Sequence, residues 1–423
     1  MRICFVSRRF FPTISGMSVY ALNLIRQLVA EGHDVVMVSQ YRNDAKGAAV
    51  YGGGPPPSVD GVQIVGLESK GEQVTGEGQP ADFEADIEAM VSAIEDAHRD
   101  KPFDVIHAQY GYPTGLAALE ASRRLGVPNL VSIQGGDGHW VGGCCTTHHD
   151  AMQAVLRHAG ELLIGSESFA REVHENHDVP MDRFTIIPGA TDIDRFHPAD
   201  PDRIGELSDP PVFLYHGRVD ARKGLIELID AFAQVHQKVR DATMICSGIG
   251  PDVQAVRDHA HGLGLSEAIE FAGYSEYETA PSIYRRGNIF VSPTYSEGFS
   301  NTILEAMASG LPVISTETVG VVDCLTHDVN GYMVPIREVQ PLADAMLTLV
   351  LDDTRRRRIA RQGYRDVHEK WSWPVIGRRI IDRYDEVVKR PVSEAWTDLY
   401  DPNEVTVETA DVSCRFRQQP HLL

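Results

Sequence analysis

A chain of 423 residues, 43% hydrophobic and 23% charged, holds two or three domains with ample core. Its formal net charge of −21 argues against nucleic acid as a partner and against electrostatic docking on anionic lipid, leaving at most peripheral membrane contact. Only seven of the 39 basic residues are lysine, a balance that fits either a salt-rich cytoplasm or a GC-rich genome. Six cysteines in this length do not make a disulfide framework, and no run of ~20 apolar residues is present to span a membrane.

The first half alternates strands and helices. Arg2–Ser7 reads as a strand, Met17–Glu31 as a helix ended by Gly32, and Asp34–Ser39 as a strand. Ser7–Arg8–Arg9–Phe10–Phe11 looks like a twin-arginine export signal, but Pro12 and Gly16 interrupt the uncharged stretch after it and no clean cleavage site appears, so a cytoplasmic protein is expected. Residues 42–80 are rich in Gly, Pro and Ser and read as loops around a strand at Val62–Leu67. A helix at Phe83–His98, a strand at Asp104–Ala108, a helix at Thr114–Leu125 and a strand at Asn129–Ile133 continue the pattern. Cys144–Cys145 with His148–His149 is the one cluster with metal-ligand chemistry. Its spacing does not match a C-x2-C plus H-x3-H arrangement, and vicinal cysteines share a tetrahedral metal poorly, so loop structure and no metal are expected there.

After a proline-rich linker within 186–211 the pattern restarts. Strands are expected at Val212–His216, Thr243–Gly248, Ile269–Ala272 and Ile289–Val291, and helices at Gly224–Val239, Val253–Leu263 and Ser282–Arg286. Repeating βα units imply two doubly wound, mostly parallel sheets. The expected division is 1–195, 205–370, a returning helix within 371–390, and a polar tail at 391–423.

The most informative stretch runs from Tyr295 to Ile314. A loop carrying Glu297 and Gly298 leaves a buried strand, Ser300 or Asn301 can cap the helix beyond it, and a second acid, Glu305, lies two turns in. The first turn of that helix has no acid to block its free N–H groups, so one segment offers an anion seat and two carboxylates for hydroxyl groups. Upstream, Arg218 and Lys223 stand on the loop leaving another buried strand, where two fixed cations stabilise a departing diphosphate.

The Glu297-x7-Glu305 spacing, its Gly-Phe-Ser-Asn and Glu-Ala-Met-Ala-Ser-Gly-Leu-Pro flanks, Phe11–Gly16, Asp104–Ala108, Ile187–Asp192, His216–Gly217–Arg218 with Lys223–Gly224, and Gly248–Pro251 together resemble glycosyltransferase family 4. The likeness covers about 1–390. It implies an α/β GT-B fold: two facing Rossmann-like domains, a cleft between them, and a C-terminal helix crossing back to the first. It implies a retaining enzyme that moves a sugar from a nucleoside diphosphate sugar to a hydroxyl acceptor, whether glycan, glycolipid or small molecule, lipid-linked acceptors included. Front-side attack is the implied route.

The resemblance also assigns roles. Arg218 and Lys223 become the leaving-group clamp, which makes a divalent metal unnecessary, so no cofactor is expected. Glu297 contacts the transferred sugar and Glu305 the ribose hydroxyls. Gly298, Phe299, Ser300, Asn301 and Thr302 line the sugar and phosphate pocket, and Gly16 approaches the phosphates from the first domain. Gln109 and Gln134 stand where relatives carry histidines and cannot titrate near neutral pH. That leaves His107 and Asp137 for the sugar or acceptor. One rival is a nucleotide-sugar epimerase of related fold. A glycosidase pair is disfavoured, because eight largely helical residues separate the acids by roughly 8–12 Å, against ~5 Å for a retaining pair.

Overall fold

The computed structural model describes residues 1–13, 15–45, 48, 52–72, 82–400 and 414. Ile14, parts of the 42–80 region and most of the expected tail lie outside the described residues.

The chain divides into two compact units, Met1–Pro188 with Gly377 onward, and Gly189–Ile376. The first is built on a parallel sheet of seven strands: β1 (Arg2–Ser7), β2 (Asp34–Tyr41), β3 (Val62–Glu68), β4 (Val105–Gln109), β5 (Asn129–Ile133), β6 (Leu162–Ile164) and β7 (Phe184–Ile186). Their spatial order is β3-β2-β1-β4-β5-β6-β7. Every residue of β1, β4 and β5 is buried, because helices on both faces leave a central parallel strand no solvent side. At the edge, β3 alternates between exposed and half-buried residues.

Three helices of this unit begin where short polar side chains satisfy free N–H groups. Ser15 accepts from the Ser18 amide at 3.2 Å at the start of Gly16–Ala30, Asp82 from Ala85 at 3.0 Å before Phe83–Asp100, and Ser166 from Phe169 at 3.1 Å before Glu167–His177. Residues Thr146–His158 are helical, so the cysteine–histidine cluster expected in a loop sits instead at a helix start.

Arg8 and Arg9 are structural. Both are buried, and both donate to the carboxylate of Glu72, Arg9 at 2.6 and 2.9 Å. The Arg8 guanidinium also lies over the rings of Phe83 and Tyr110, at 5.5 and 5.9 Å from their centroids.

The second unit carries six parallel strands, β8 (Val212–His216), β9 (Thr243–Ser247), β10 (Ile269–Gly273), β11 (Ile289–Ser292), β12 (Val313–Thr316) and β13 (Tyr332–Val334), in the order β10-β9-β8-β11-β12-β13. Phe213, Leu228, Phe232, Met244, Val291 and Met346 belong to its core. The helix Trp373–Val387 carries the chain back into the first unit from Gly377. There Arg378 meets Glu31 at 2.8 Å and Arg379 donates to the Ile186 carbonyl at 2.8 Å. Among the described residues no helix is long and apolar enough to cross a membrane.

Candidate active site

In each sheet the strand order reverses direction once, between β1 and β4 and between β8 and β11. At such a switch point the two loops beyond the strands leave in opposite directions and open a crevice at the carboxyl ends of the strands. In the second unit those two loops are Gly217–Lys223 and Pro293–Ser300, which carry six of the residues singled out from sequence: Arg218, Lys223, Glu297, Gly298, Phe299 and Ser300.

Lys223 ends a short 3-10 turn that Asp220 caps by accepting from the Arg222 amide at 3.0 Å. Its ammonium meets the Glu297 carboxylate at 2.5 Å, with the two side chains 19% and 20% exposed. Arg218 pairs with Asp220 at 3.2 Å, and Arg222 meets the same carboxylate at 3.1 Å. Burial alone would raise the pKa of Asp220, but Arg222, Arg218 and Lys223 outweigh it and hold the acid below its ordinary value. Both expected clamp cations are thus held by carboxylates of their own unit. Tyr215 fixes the loop from below, its hydroxyl donating to the Arg218 carbonyl at 2.6 Å. Backbone lies so close to backbone here that a Cβ on Gly248, at φ +144°, would collide with the Gly217 carbonyl.

The Glu297 amide donates to Val319 O at 3.1 Å and the Tyr295 amide to Arg222 O at 2.8 Å, which ties the two switch-point loops together. Gly298 and Phe299 come next, both half-buried, with the Phe299 ring edge-on to Trp371 at 6.2 Å. Ser300 occupies the N-cap position of the helix Asn301–Ala308, yet its side chain makes no capping bond; Oγ lies 3.4 Å from the Thr302 hydroxyl. Gly189 packs against Phe299 and Asn301, where a Cβ would strike both side chains. Glu305, in the second turn, is only 8% exposed and accepts from the Tyr284 hydroxyl at 2.6 Å. Burial pushes its pKa up to about 7, opposed by that hydrogen bond.

In the first unit Gly16 opens the helix after β1, and a Cβ added to it would meet nothing within 4 Å. Two other residues singled out there are buried. His107 is 0% exposed, with Nδ1 2.6 Å from the Tyr384 hydroxyl and Nε2 2.8 Å from the Ser132 hydroxyl. Burial lowers its pKa to about 3, so it stays neutral and acts as a core residue. Asp137 is also 0% exposed, and its carboxylate accepts from the amides of Gly111 at 2.7 Å and Gln134 at 2.9 Å. It fastens two loops. Gln109 and Gln134 are coupled, with Gln109 Nε2 donating to Gln134 Oε1 at 2.9 Å and Ser7 donating to Gln109 Oε1 at 2.9 Å.

Sequence reasoning overlooks Asp220 and Tyr284. Asp220 has a usable signal, an acid placed to cap the Ala221–Lys223 turn, whereas Tyr284 has none, lying 21 residues before its partner.

Residues 15–190 match the family described as Glycosyl transferase 4-like domain, and residues 197–366 match Glycosyl transferases group 1. The D-inositol 3-phosphate glycosyltransferase of Xylanimonas cellulosilytica is 26% identical over 402 residues, 89% of this chain and 92% of its own. The GDP-mannose-dependent alpha-(1-6)-phosphatidylinositol monomannoside mannosyltransferase of Mycobacterium tuberculosis is 26% identical over 295 residues, 66% of this chain and 75% of its own. Among solved structures, sucrose-phosphate synthase from Thermosynechococcus elongatus aligns with a TM-score of 0.73 at 21% identity, covering 91% of this chain and 98% of its own. Anabaena HepE in complex with UDP and glucose aligns with a TM-score of 0.70 at 17% identity, covering 91% and 100%.

Two Rossmann-like units with these matches define a GT-B glycosyltransferase. The chain belongs to glycosyltransferase family 4.

Proposed function

We propose that this enzyme moves a sugar from a nucleoside diphosphate sugar to a hydroxyl acceptor with retention of anomeric configuration. The observation that carries the reading is the Lys223–Glu297 pair spanning the switch point of the second sheet, with Arg218 on the same loop. A diphosphate arriving there takes the place of Glu297 at Lys223 and frees the carboxylate for a sugar hydroxyl. The N–H groups at the start of Asn301–Ala308 add an anion seat, and Glu305 is placed for ribose hydroxyls. Gly298, Phe299, Ser300, Asn301 and Thr302 line the pocket.

Charge that grows on the departing diphosphate is met by Arg218 and Lys223, so the reaction proceeds without a divalent metal. The burial of His107 and Asp137 supports front-side transfer, because neither group is left to activate an acceptor from the opposite face. The departing phosphate takes the acceptor proton instead. This reading assigns a cytoplasmic enzyme with at most peripheral membrane contact, acting on a glycan, glycolipid or small-molecule hydroxyl. Relatives bear names that specify GDP-mannose and UDP, so the donor base is left to experiment.

Thermal melts in the presence of UDP-, GDP- and ADP-sugars test the donor, because a ligand bound to the folded state raises Tm by mass action. One nucleotide class is expected to raise Tm, and no response to any of them contradicts the reading. Incubation without acceptor separates transfer from epimerisation, and appearance of an epimer would overturn transfer. Initial rates with and without added Mg²⁺ or Mn²⁺ should coincide.

A further inference from the structure

Outside this site, four metal-ligating side chains converge in the first unit. The ligand atoms of Cys144, Cys145, His148 and Cys414 all lie within 4.8 Å of one another. The three sulfurs stand 3.4, 3.1 and 3.3 Å from one atom, His148 Nδ1. A single imidazole nitrogen makes one in-plane hydrogen bond, as donor or as acceptor, so it cannot bond three thiols at once. A single metal ion at the centre would bond all four groups at once.

We propose that Cys144, Cys145, His148 and Cys414 form a closed zinc site that fastens the C-terminal segment to the first unit. A tetrahedron with Zn–S of ~2.3 Å and Zn–N of ~2.0 Å has S···N edges of about 3.5 Å and S···S edges of about 3.8 Å. The observed S···N distances lie within a few tenths of an ångström of that edge. Three soft thiolates and one imidazole suit zinc, and four protein ligands leave no open position, as in a structural site. Binding balances as Zn²⁺ plus three thiols and one neutral imidazole giving the complex, with net charge −1, and three protons released to solvent.

The surroundings are built for such a site. Cys145 is the N-cap residue of the helix Thr146–His158, and its side chain makes no capping bond. His148 sits one turn in, 0% exposed, with the buried Tyr112 ring edge-on at 4.7 Å. Cys414 is 2% exposed although it is remote in sequence. The objection to vicinal cysteines rests on local spacing alone. Here both side chains turn onto the same imidazole, and the fourth ligand comes from 266 residues further along the chain. His149 takes no part; its ring stacks on His177 at 6.3 Å.

The 423-residue chain, expressed in zinc-supplemented medium and purified without chelator under reducing conditions, is the material for the test. Elemental analysis should find about one zinc per chain. Cys414→Ser and Cys145→Ser should lose at least ~90% of it, while His149→Ala retains it. Wild-type protein reconstituted with Co²⁺ should show intense tetrahedral ligand-field bands with thiolate charge transfer, a readout that does not depend on any variant folding. Zinc below about a tenth of an equivalent in wild type, or zinc retained in Cys414→Ser, overturns the proposal. So does a disulfide among the three cysteines in peptide maps of the reduced-purified protein.

Discussion

Lys223 and Glu297 neutralise each other at 2.5 Å with each side chain about four-fifths covered, and the proposed diphosphate has to open that contact to bind. In the proposed clamp, replacing Lys223 or Arg218 by Ala removes charge that the transition state needs more than the ground state. Turnover should fall by roughly 10²–10³-fold in either variant, with Tm near wild type. Steady-state kinetics beside a thermal melt checks this, and near-normal turnover in both variants contradicts the clamp. Glu305 makes a different prediction. Burial raises its folded-state pKa from 4.5 to about 7. The resulting stability is present below the unfolded value and is lost as pH rises from there through 7. Glu305→Gln cannot ionise, so its Tm should exceed that of wild type at about pH 8 and match it at about pH 4. The gain is at most ~3 kcal/mol. The same variant should bind donor more weakly, because Gln is the poorer acceptor for ribose hydroxyls. A lower Tm at the higher pH would show that the carboxylate is not buried at a cost.

The connection from β1 to its neighbours depends on one acid. Glu72 serves two arginines, and Arg8 is 0% exposed, so Glu72→Ala leaves a buried guanidinium without its carboxylate. The expected cost is about 3–5 kcal/mol, readable as a shifted urea midpoint; a shift under ~1 kcal/mol would contradict it. The sequence alone could not show this pair, since Arg8 and Glu72 are 64 positions apart and the acid lies in a glycine-rich loop. That is why Arg8–Arg9 also looks like an export signal. Central strands were legible: β1, β5 and β8 fall on the predicted residues because continuous apolar runs mark strands buried on both faces. The three-residue strands β6, β7 and β13 escaped, being too short to carry a period. The helix Asp353–Lys370 escaped because an arginine run hides its buried face of Ile359, Ala360, Gly363 and Val367. The loop positions of Arg218, Lys223 and Glu297 were legible, but the burial of His107 inside β4 and of Asp137 in the short helix Gly136–His139 was not, because sequence does not tell which neighbours enclose a polar side chain. Cys414 joined Cys144, Cys145 and His148 only through the fold.

At the scale of the whole chain, a net charge of −21 makes the compact state repel itself, and salt relieves it. The Debye length falls from ~10 Å at 0.1 M to ~3 Å at 1 M, so Tm should rise across that range of KCl. An unchanged Tm would point to arginine-for-lysine replacement in a GC-rich genome and not to adaptation to salt. The central claim is retaining transfer from a nucleotide sugar. It rests on cations gathered at the switch point of the second unit and on the burial of both candidate bases in the first. The most direct measurement is the anomeric proton coupling, by NMR, of product taken immediately after reaction with an α-linked donor. An α-linked product is predicted, and a β-linked product would contradict the account.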